Sequence, residues 1–375
     1  MDITTRLVRE VLAPMKADFV GKDEVIDLLG ICLVGGENLF ILGPPGTAKS
    51  ALVHQLAARL EGRTFDYLLT RFTEPNELFG PFDIRKLREG ELQTNTEGML
   101  PEASLVFLDE LLNANSAILN TLLVALNERL FRRGKETRPL AALMFVGASN
   151  HLPEDDALHA LFDRFLLRVH CENVPGERLA DVLTAGWKLS AGPPGKSSLH
   201  FDDLRAVQAA LPTVDLQAIR QPFSELVHRI RHAGVPVSDR RAVKLQRVIA
   251  ASALLCGRQQ ANLTDFWVVR HIWETEEQQE LLASLVDQAI AKEPANDREH
   301  PRARSTSGPD PEALARDLEA ISTSLKDTAL PEVERAYLRD RLGVLEGRSQ
   351  WVKDSTKREW LLQQTAALWP KLKGA

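Results

Sequence analysis

Gly43-Pro44-Pro45-Gly46-Thr47-Ala48-Lys49-Ser50 follows the apolar run Leu39-Phe40-Ile41-Leu42. It opens a segment in which Leu52, Val53, Leu56 and Leu60 recur at helical spacing. A strand, a glycine-rich turn and a helix in that order are what a phosphate-binding loop requires. Backbone N–H groups freed by the turn cradle phosphate, and the helix N-terminus adds its positive dipole end. In that frame Lys49 reaches the β/γ-phosphates and the Ser50 hydroxyl ligates Mg²⁺. Ala48 departs from the strict pattern, which places a glycine there.

A second apolar run, Leu105-Val106-Phe107-Leu108, ends in Asp109-Glu110. The first carboxylate suits the Mg²⁺ shell, usually through water, and the second suits polarisation of an attacking water. Apolar strands often end in acidic residues, so the pair gains its weight from following the phosphate loop with room for a strand and a helix between. Met144-Phe145-Val146-Gly147-Ala148-Ser149 ends in Asn150. If that strand lies between the two motif strands, Asn150 comes near the γ-phosphate and can orient water; alone it reads equally well as a turn cap.

Asp163-Arg164-Phe165 lies where a helix meets the next strand. An arginine there faces away from the chain's own nucleotide and, in an assembled ring, points into the neighbour's site as an arginine finger. The plainer alternative is a salt-bridged surface residue. Ser238-Asp239-Arg240-Arg241 reads as a helix start with Ser238 as N-cap. An arginine on the first turn of such a lid helix could reach the phosphates from above; spacing does not choose between Arg240 and Arg241, and solvated charge is the plainer reading of at least one. His151, His159 and His170 have no spacing that suggests metal ligation or a nucleophile pair, and are read as ordinary surface or core residues.

With 375 residues the chain can hold two or three compact units. Its 46 basic and 52 acidic side chains leave a mildly acidic balance, which implies no general attraction to nucleic acid or anionic membrane. Cys32, Cys171 and Cys256 are far apart and lack CxxC spacing, so buried, reduced thiols are expected. No apolar run approaches membrane-spanning length, and the charged first ten residues carry no signal-peptide core. The expectation is a cytoplasmic protein without membrane insertion.

Strand candidates at 39–42, 65–70, 105–109, 143–148 and 165–170 alternate with helices such as 49–60 and 118–130. Such alternation predicts an α/β unit over 1–172, a mostly parallel sheet covered on both faces, with ligands at the carboxyl ends of its strands. From 173 to 292 strand signals vanish, and helices at 202–210, 217–233, 239–255 and 265–290 predict an all-α lid. Pro193-Pro194-Gly195 and Gly234-Val235-Pro236 mark breaks between them. Residues 293–311 are polar and turn-rich and read as a linker. The remainder, 312–375, predicts a small C-terminal helical unit broken near Gly347. There Trp351, Trp360 and Trp369 stand nine apart, about two and a half helical turns, and are read as packing a helical hairpin.

Taken together these elements resemble the AAA+ ATPases, and in particular the MoxR family and its RavA-type branch. The resemblance covers roughly residues 15–290. It rests on GPPGTAKS at 43–50, TRFTEPNELFGPFDI at 70–84, GMLPEASLVFLDEL at 98–111, ILNTLLVALNERLFRRG at 118–134, SN at 149–150, LFDRFLLRV at 161–169 and SDRR at 238–241. It accounts for Ala48, since MoxR proteins commonly carry alanine there.

The resemblance implies a P-loop AAA+ core, an αβα sandwich on a five-stranded parallel sheet, followed by a helical lid and usually assembled as a homo-oligomeric, hexameric ring. ATP and Mg²⁺ are the implied cofactors. Gly43, Pro44, Pro45, Gly46, Thr47, Ala48, Lys49, Ser50 and Ala51 form the Walker A stretch; Asp109 and Glu110 form the Walker B pair, with Ser50 and Asp109 on the metal and Glu110 on the water. Asn150 is implied as sensor one, Arg164 as the arginine finger and Arg240 or Arg241 as sensor two. Val20 and Gly21 match the segment beside the adenine. Residues 82–99, turning at Arg88-Glu89-Gly90, and 132–140, turning at Gly134-Lys135, look like β-hairpin inserts. The plainer reading of both is an ordinary surface loop; their basic residues (Arg85, Lys86 and Arg88; Arg132, Arg133, Lys135 and Arg138) could alternatively face a substrate or the ring pore.

MoxR proteins are generally chaperone-like and often act on a protein partner with a von Willebrand factor A domain. The expected function is therefore a Mg²⁺-dependent ATPase that remodels or activates such a partner. A magnesium-chelatase-type ATPase subunit, a nucleic-acid motor and a nucleotide-locked scaffold are the alternatives. The acidic balance and the lack of a nucleic-acid module weigh against the motor, and the complete set of catalytic residues weighs against the scaffold. The tail beyond residue 312 departs from RavA-type proteins.

Overall fold

The computed structural model describes residues 2–153, 155–190, 195, 197–294, 298–304, 311–325, 332–349, 352 and 355–373. Among the described residues the strands are β1 (Leu39–Leu42), β2 (Thr64–Leu68), β3 (Leu105–Asp109), β4 (Leu130–Arg133), β5 (Glu136–Pro139), β6 (Met144–Ser149) and β7 (Leu167–His170). Five of them form one sheet in the order β2-β3-β6-β1-β7, every neighbour parallel. Parallel strands joined by crossover helices are covered on both faces, which is why β1 and β6 are apolar and buried along their whole length. Only β2, at the edge, alternates a buried Phe65 with exposed neighbours. The α/β core expected from the alternating pattern is therefore present, and β6 lies between β3 and β1.

The helix Asp23–Gly35 is buried over most of its length and ends at Gly36 in the left-handed region, φ 70°. Before it, Ile3–Arg6, Leu7–Leu12 and Ala13–Asp18 run on as one helical rod. Its middle is a wider π-turn, placed just before Pro14, whose ring nitrogen has no hydrogen to give the regular ladder.

Beyond the sheet the chain is helical: Leu179–Ser190, Phe201–Ala210, Gln217–His232, Asp239–Leu255 and Glu277–Ile290. The expected single helix over 265–290 is two elements, a 3₁₀ stretch Leu263–His271 and the helix Glu277–Ile290. The reason for the break is chemical. The carbonyls of Ile272 and Trp273 accept from the guanidinium of Arg168 on β7, each at 2.9 Å, instead of continuing a helical ladder. Arg168 is fully buried at this joint, and burial followed by the nearby Arg241 pushes its pKa well down.

Both inserts are present, but only one is a hairpin of strands. β4 and β5 pair antiparallel around Gly134-Lys135. Residues 82–99 instead form a single bridge, Phe82 to Thr94, closed over the short helix Ile84–Arg88, with Gly90 at φ 84°. Asp83 accepts from the N–H groups of Arg85 and Lys86, a cap that winds the segment into a helical turn where strands were expected.

Part of the expected linker is packed. His300 stacks on Trp267 at 4.4 Å, Arg302 donates to Asp27 at 2.8 Å, and Arg270 donates to the carbonyls of Arg302 and Ala303. Its polar composition hides one ring and one arginine that find buried partners. Ala295, Asn296, Asp297 and 305–310 lie outside the described residues, as do Pro193, Pro194 and Trp351.

The C-terminal helices Pro311–Ser324, Glu332–Ser349 and Ser355–Lys373 enclose their own apolar cluster, including Leu314, Leu318, Leu342, Leu361 and Leu372. These are three helices rather than a hairpin, and the break expected near Gly347 falls after Ser349. Trp369 packs on the cluster and donates its indole N–H to Glu346 at 2.8 Å, whereas Trp360 is half exposed.

Candidate nucleotide site

β1 delivers the chain into the loop at Gly43. A Cβ there would stand 2.2 Å from the carbonyl oxygen of Cys171, so only glycine fits. Gly46 is at φ 83° and Ala48 at φ 71°. The left-handed region costs an L-residue about 1 kcal/mol, which explains the usual glycine at that place and marks Ala48 as strained. The helix Lys49–Arg59 then begins with no side-chain cap. Its first-turn N–H groups are therefore left for a ligand to satisfy, the arrangement that binds phosphate.

Three adjacent strand ends bring the predicted side chains together. Lys49 Nζ donates to Asn150 Oδ1 at 2.7 Å, and to the loop carbonyls of Gly43 at 2.5 Å and Pro44 at 3.1 Å. Asn150 Nδ2 donates to Glu110 Oε1. Ser50 Oγ donates to Asp109 Oδ2 at 2.7 Å, and Asp109 Oδ1 accepts the backbone N–H of Glu110 at 3.0 Å. Glu110 is itself in the left-handed region, φ 50°, an uncommon conformation for a glutamate that turns the chain sharply as it leaves β3. Lysine, amide and carboxylate thus form one continuous chain beside a hydroxyl–carboxylate pair.

That pair fits magnesium. The ion takes one or two protein oxygens and completes its shell with water and substrate phosphate. Among the described residues no group of three or more His, Cys, Asp or Glu side chains forms a dedicated metal cage. Ser50 and Asp109 would hold the ion.

Beside the loop lies a cavity of about 470 Å³. Its wall includes Gly21, Lys22, Val25, His170, Arg178 and Gln279, and it reaches the loop through Cys171, whose Sγ donates to the Thr47 carbonyl at 3.1 Å. Gly21 takes its predicted place at φ 72°, whereas Val20 is not part of this wall. Lys22, His170, Arg178 and Gln279 escaped the sequence reading. The docking of the lid helix Glu277–Ile290 against the end of β7 brings Gln279 and His170 together on this wall, and no local spacing signals that. The cysteines are all free; Cys32 and Cys171 are buried as expected, whereas Cys256 is only half-buried.

The remaining arginines gather elsewhere. Arg164 pairs with Asp163 at 2.7 Å, and its backbone carbonyl accepts from Asn38. Arg241 is buried, donating to Glu274 at 2.6 Å and to the Ile272 carbonyl at 2.6 Å, with Asp163 at 3.8 Å. Arg240 donates to Asn127 at 3.0 Å. Neither lines the cavity. Arg241 is held by those buried partners, and the helix start carrying both lies on the Asp163–Arg164 side. Ser238 caps that helix as predicted.

A family model described as the MoxR domain in the MoxR-vWA-beta-propeller ternary systems matches residues 6–209, more than half of the chain, and one described as an AAA lid domain matches 214–286. The chain belongs to the MoxR family of AAA+ proteins. Its relatives include two uncharacterized proteins of Methanocaldococcus jannaschii. One is 34% identical over 267 residues (71% of this chain and 70% of the relative), the other 32% identical over 271 residues (72% of each). The chaperone MoxR1 of Mycobacterium tuberculosis is 26% identical over 200 residues, 52% of this chain and 51% of that protein. Among solved structures, a candidate ATPase from Cytophaga hutchinsonii superposes with a TM-score of 0.62 over 78% of this chain and 96% of its own, at 19% identity, a likeness of fold. For this MoxR chain, membership of the AAA+ ATPases implies nucleotide binding.

Proposed function

We propose that this MoxR chain is a Mg²⁺-dependent ATP hydrolase, working as a ring-forming, chaperone-like motor on a protein partner. The observation that carries the reading is the unbroken Lys49–Asn150–Glu110 chain beside the Ser50–Asp109 pair. Lys49 would neutralise the β/γ-phosphate oxygens. Glu110 would take the proton of a water that Asn150 orients in line with the γ-phosphate. Magnesium, when bound, would supply charge neutralisation at the β- and γ-oxygens. Arg164, set apart from these groups, would act in a neighbouring subunit's site, so turnover requires assembly; Arg240 shares that side of the molecule.

The matching family model is named for systems in which a MoxR domain operates with a vWA protein, which makes such a protein the first partner to test. A nucleic-acid role is less supported, because three of the four basic residues of the β4–β5 hairpin are engaged within the chain: Arg132 with Glu128, Arg138 with Glu136, Arg133 with Asn76 and Gly80. No helix among the described residues is long and apolar enough to cross a membrane, in keeping with a cytoplasmic site of action.

Steady-state ATP hydrolysis with parallel sedimentation tests the reading. Glu110→Gln is expected to bind ATP and assemble as the wild type does while turnover falls by at least about 10²-fold, the scale of a general base. Retained turnover in the variant would sink the assignment of Glu110.

A further inference from the structure

Asn38, the residue before β1, is buried, and its side chain is the meeting point of three distant segments. Its Oδ1 accepts from Arg129 Nη2 at 2.8 Å and from the backbone N–H of Phe145 on β6 at 3.2 Å. Its Nδ2 donates to the backbone carbonyl of Arg164 at 3.0 Å. Two donors on one side and a carbonyl on the other allow a single orientation of the amide. Arg129 is tied in turn. It follows the helix Ser116–Glu128 in the left-handed region, φ 54°, uncommon for an arginine. Its carbonyl accepts the N–H of Leu140 at 2.8 Å, which closes the base of the β4–β5 hairpin. Its guanidinium lies over the Phe145 ring, 4.9 Å from the centroid, and donates to the Gly36 carbonyl at 3.3 Å. Burial pulls its pKa down to about 10, so it stays charged at neutral pH.

We infer that Asn38 is the positioning residue for Arg164 and that, through Arg129, it couples the β4–β5 hairpin to hydrolysis in the neighbouring subunit. The inference rests on the proposed action of Arg164 in that neighbour's site and adds what places the arginine and what moves it. The Arg164 guanidinium is lightly held. Among the described residues it keeps one hydrogen bond, to Asp163, and its buried Nε finds none. The backbone is therefore the firmer guide to where this side chain points. Its N–H donates to the Leu161 carbonyl at 3.0 Å, and its carbonyl is gripped by Asn38. A buried amide that misses a partner is costly, so a fully bonded one is stiff. A shift at the hairpin base carries Arg129, Arg129 carries the amide, and the amide draws on the Arg164 carbonyl. Two side chains thus span 91 and 126 residues of sequence in one contiguous route.

Asn38→Asp separates the two halves of the amide's role. The carboxylate still accepts from Arg129 and Phe145, and the guanidinium neutralises it, but it donates nothing to the Arg164 carbonyl. Turnover of ATP by the full chain is expected to fall by at least about tenfold, short of the roughly 10³–10⁵-fold that a whole finger supplies. Affinity for ATP is expected to stay within about twofold of the wild type, which also reports a folded variant. Mixing assigns the defect to a site. Asn38→Asp subunits keep their own catalytic groups and Glu110→Gln subunits keep a well-placed arginine, so the mixture is expected to exceed the average of the two alone. Arg129→Lys keeps the charge and loses the fork. It is expected to slow turnover too, with the double variant no slower than Asn38→Asp. Wild-type turnover in Asn38→Asp, an affinity that falls with turnover, a mixture no faster than the average, or losses that multiply in the double variant would each overturn the inference. Wild-type turnover in Arg164→Ala would instead overturn the action of Arg164 on which it rests.

Discussion

Where Gly43 has only a hydrogen, any side chain would meet the backbone of Cys171, and backbone cannot swing aside. Gly43→Ala is therefore expected to destabilise the core by about 1–3 kcal/mol, the usual scale of overpacking, read as a lower urea midpoint with unchanged slope. Asn150 is a different kind of residue, because it holds Lys49 with its oxygen and Glu110 with its nitrogen. Asn150→Ala should lower kcat by about 10²-fold, as loss of a preorganised polar group does, with ATP affinity changed far less. An equal loss in kcat and in affinity would show that it merely supports the loop. Both residues carry sequence signals, yet those signals differ in strength. The glycine belongs to a pattern recognisable by eye, whereas Asn150 gains meaning only once β6 is known to lie between β3 and β1.

The insert over 82–99 is fastened to the β4–β5 hairpin by two side chains, Arg133 and Glu136, the second accepting from the Thr94 N–H at 3.1 Å. Arg133 sits over the Phe82 ring, 3.8 Å from its centroid, and donates to the Gly80 carbonyl at 2.8 Å. Arg133→Ala should cost about 1 kcal/mol, the scale of a cation–π contact with a hydrogen bond, and the loss should be local. Hydrogen exchange is expected to accelerate over 80–95 while the sheet amides keep their protection; uniform acceleration would contradict the fastening. Hairpin turns were legible here in Gly134-Lys135, because a two-residue loop specifies them. The helical turn at 84–88 was not, since it depends on the Asp83 cap and on an arginine from another element.

Across the whole molecule, the helix Asp23–Gly35 ties the sheet, the cavity and the chain beyond the lid together. Its Glu24 and Asp27 lie 3.8 Å from His271 and His300 respectively. Burial, opposed by those carboxylates, pulls both histidines down to about 4. In the unfolded chain they titrate near the ordinary value of about 6.5. Between those two pH values the unfolded state binds protons that the native state does not, so stability is complete above about pH 6.5 and falls as the pH drops toward 4. The slope approaches about 1.4 kcal/mol per pH unit for each histidine. Urea midpoints measured from pH 7 to pH 4 should fall accordingly, and His300→Phe should flatten the fall. A variant as steep as the wild type would place the pH dependence elsewhere.

The sequence by itself determined the strand–helix alternation, the phosphate loop, the Asp109-Glu110 pair and the helical character of the lid. Each of these is written in neighbouring residues, through period, turn chemistry and short spacing. Tertiary structure alone decided what depends on groups distant in the chain. It joined Lys49, Asn150 and Glu110, held Arg241 away from this chain's cavity, divided 265–290 at carbonyls taken by Arg168, and packed part of an expected linker through His300 and Arg302. A buried polar group must find a partner, and that partner is chosen by packing over separations from 31 to 275 residues, distances at which no local pattern carries information.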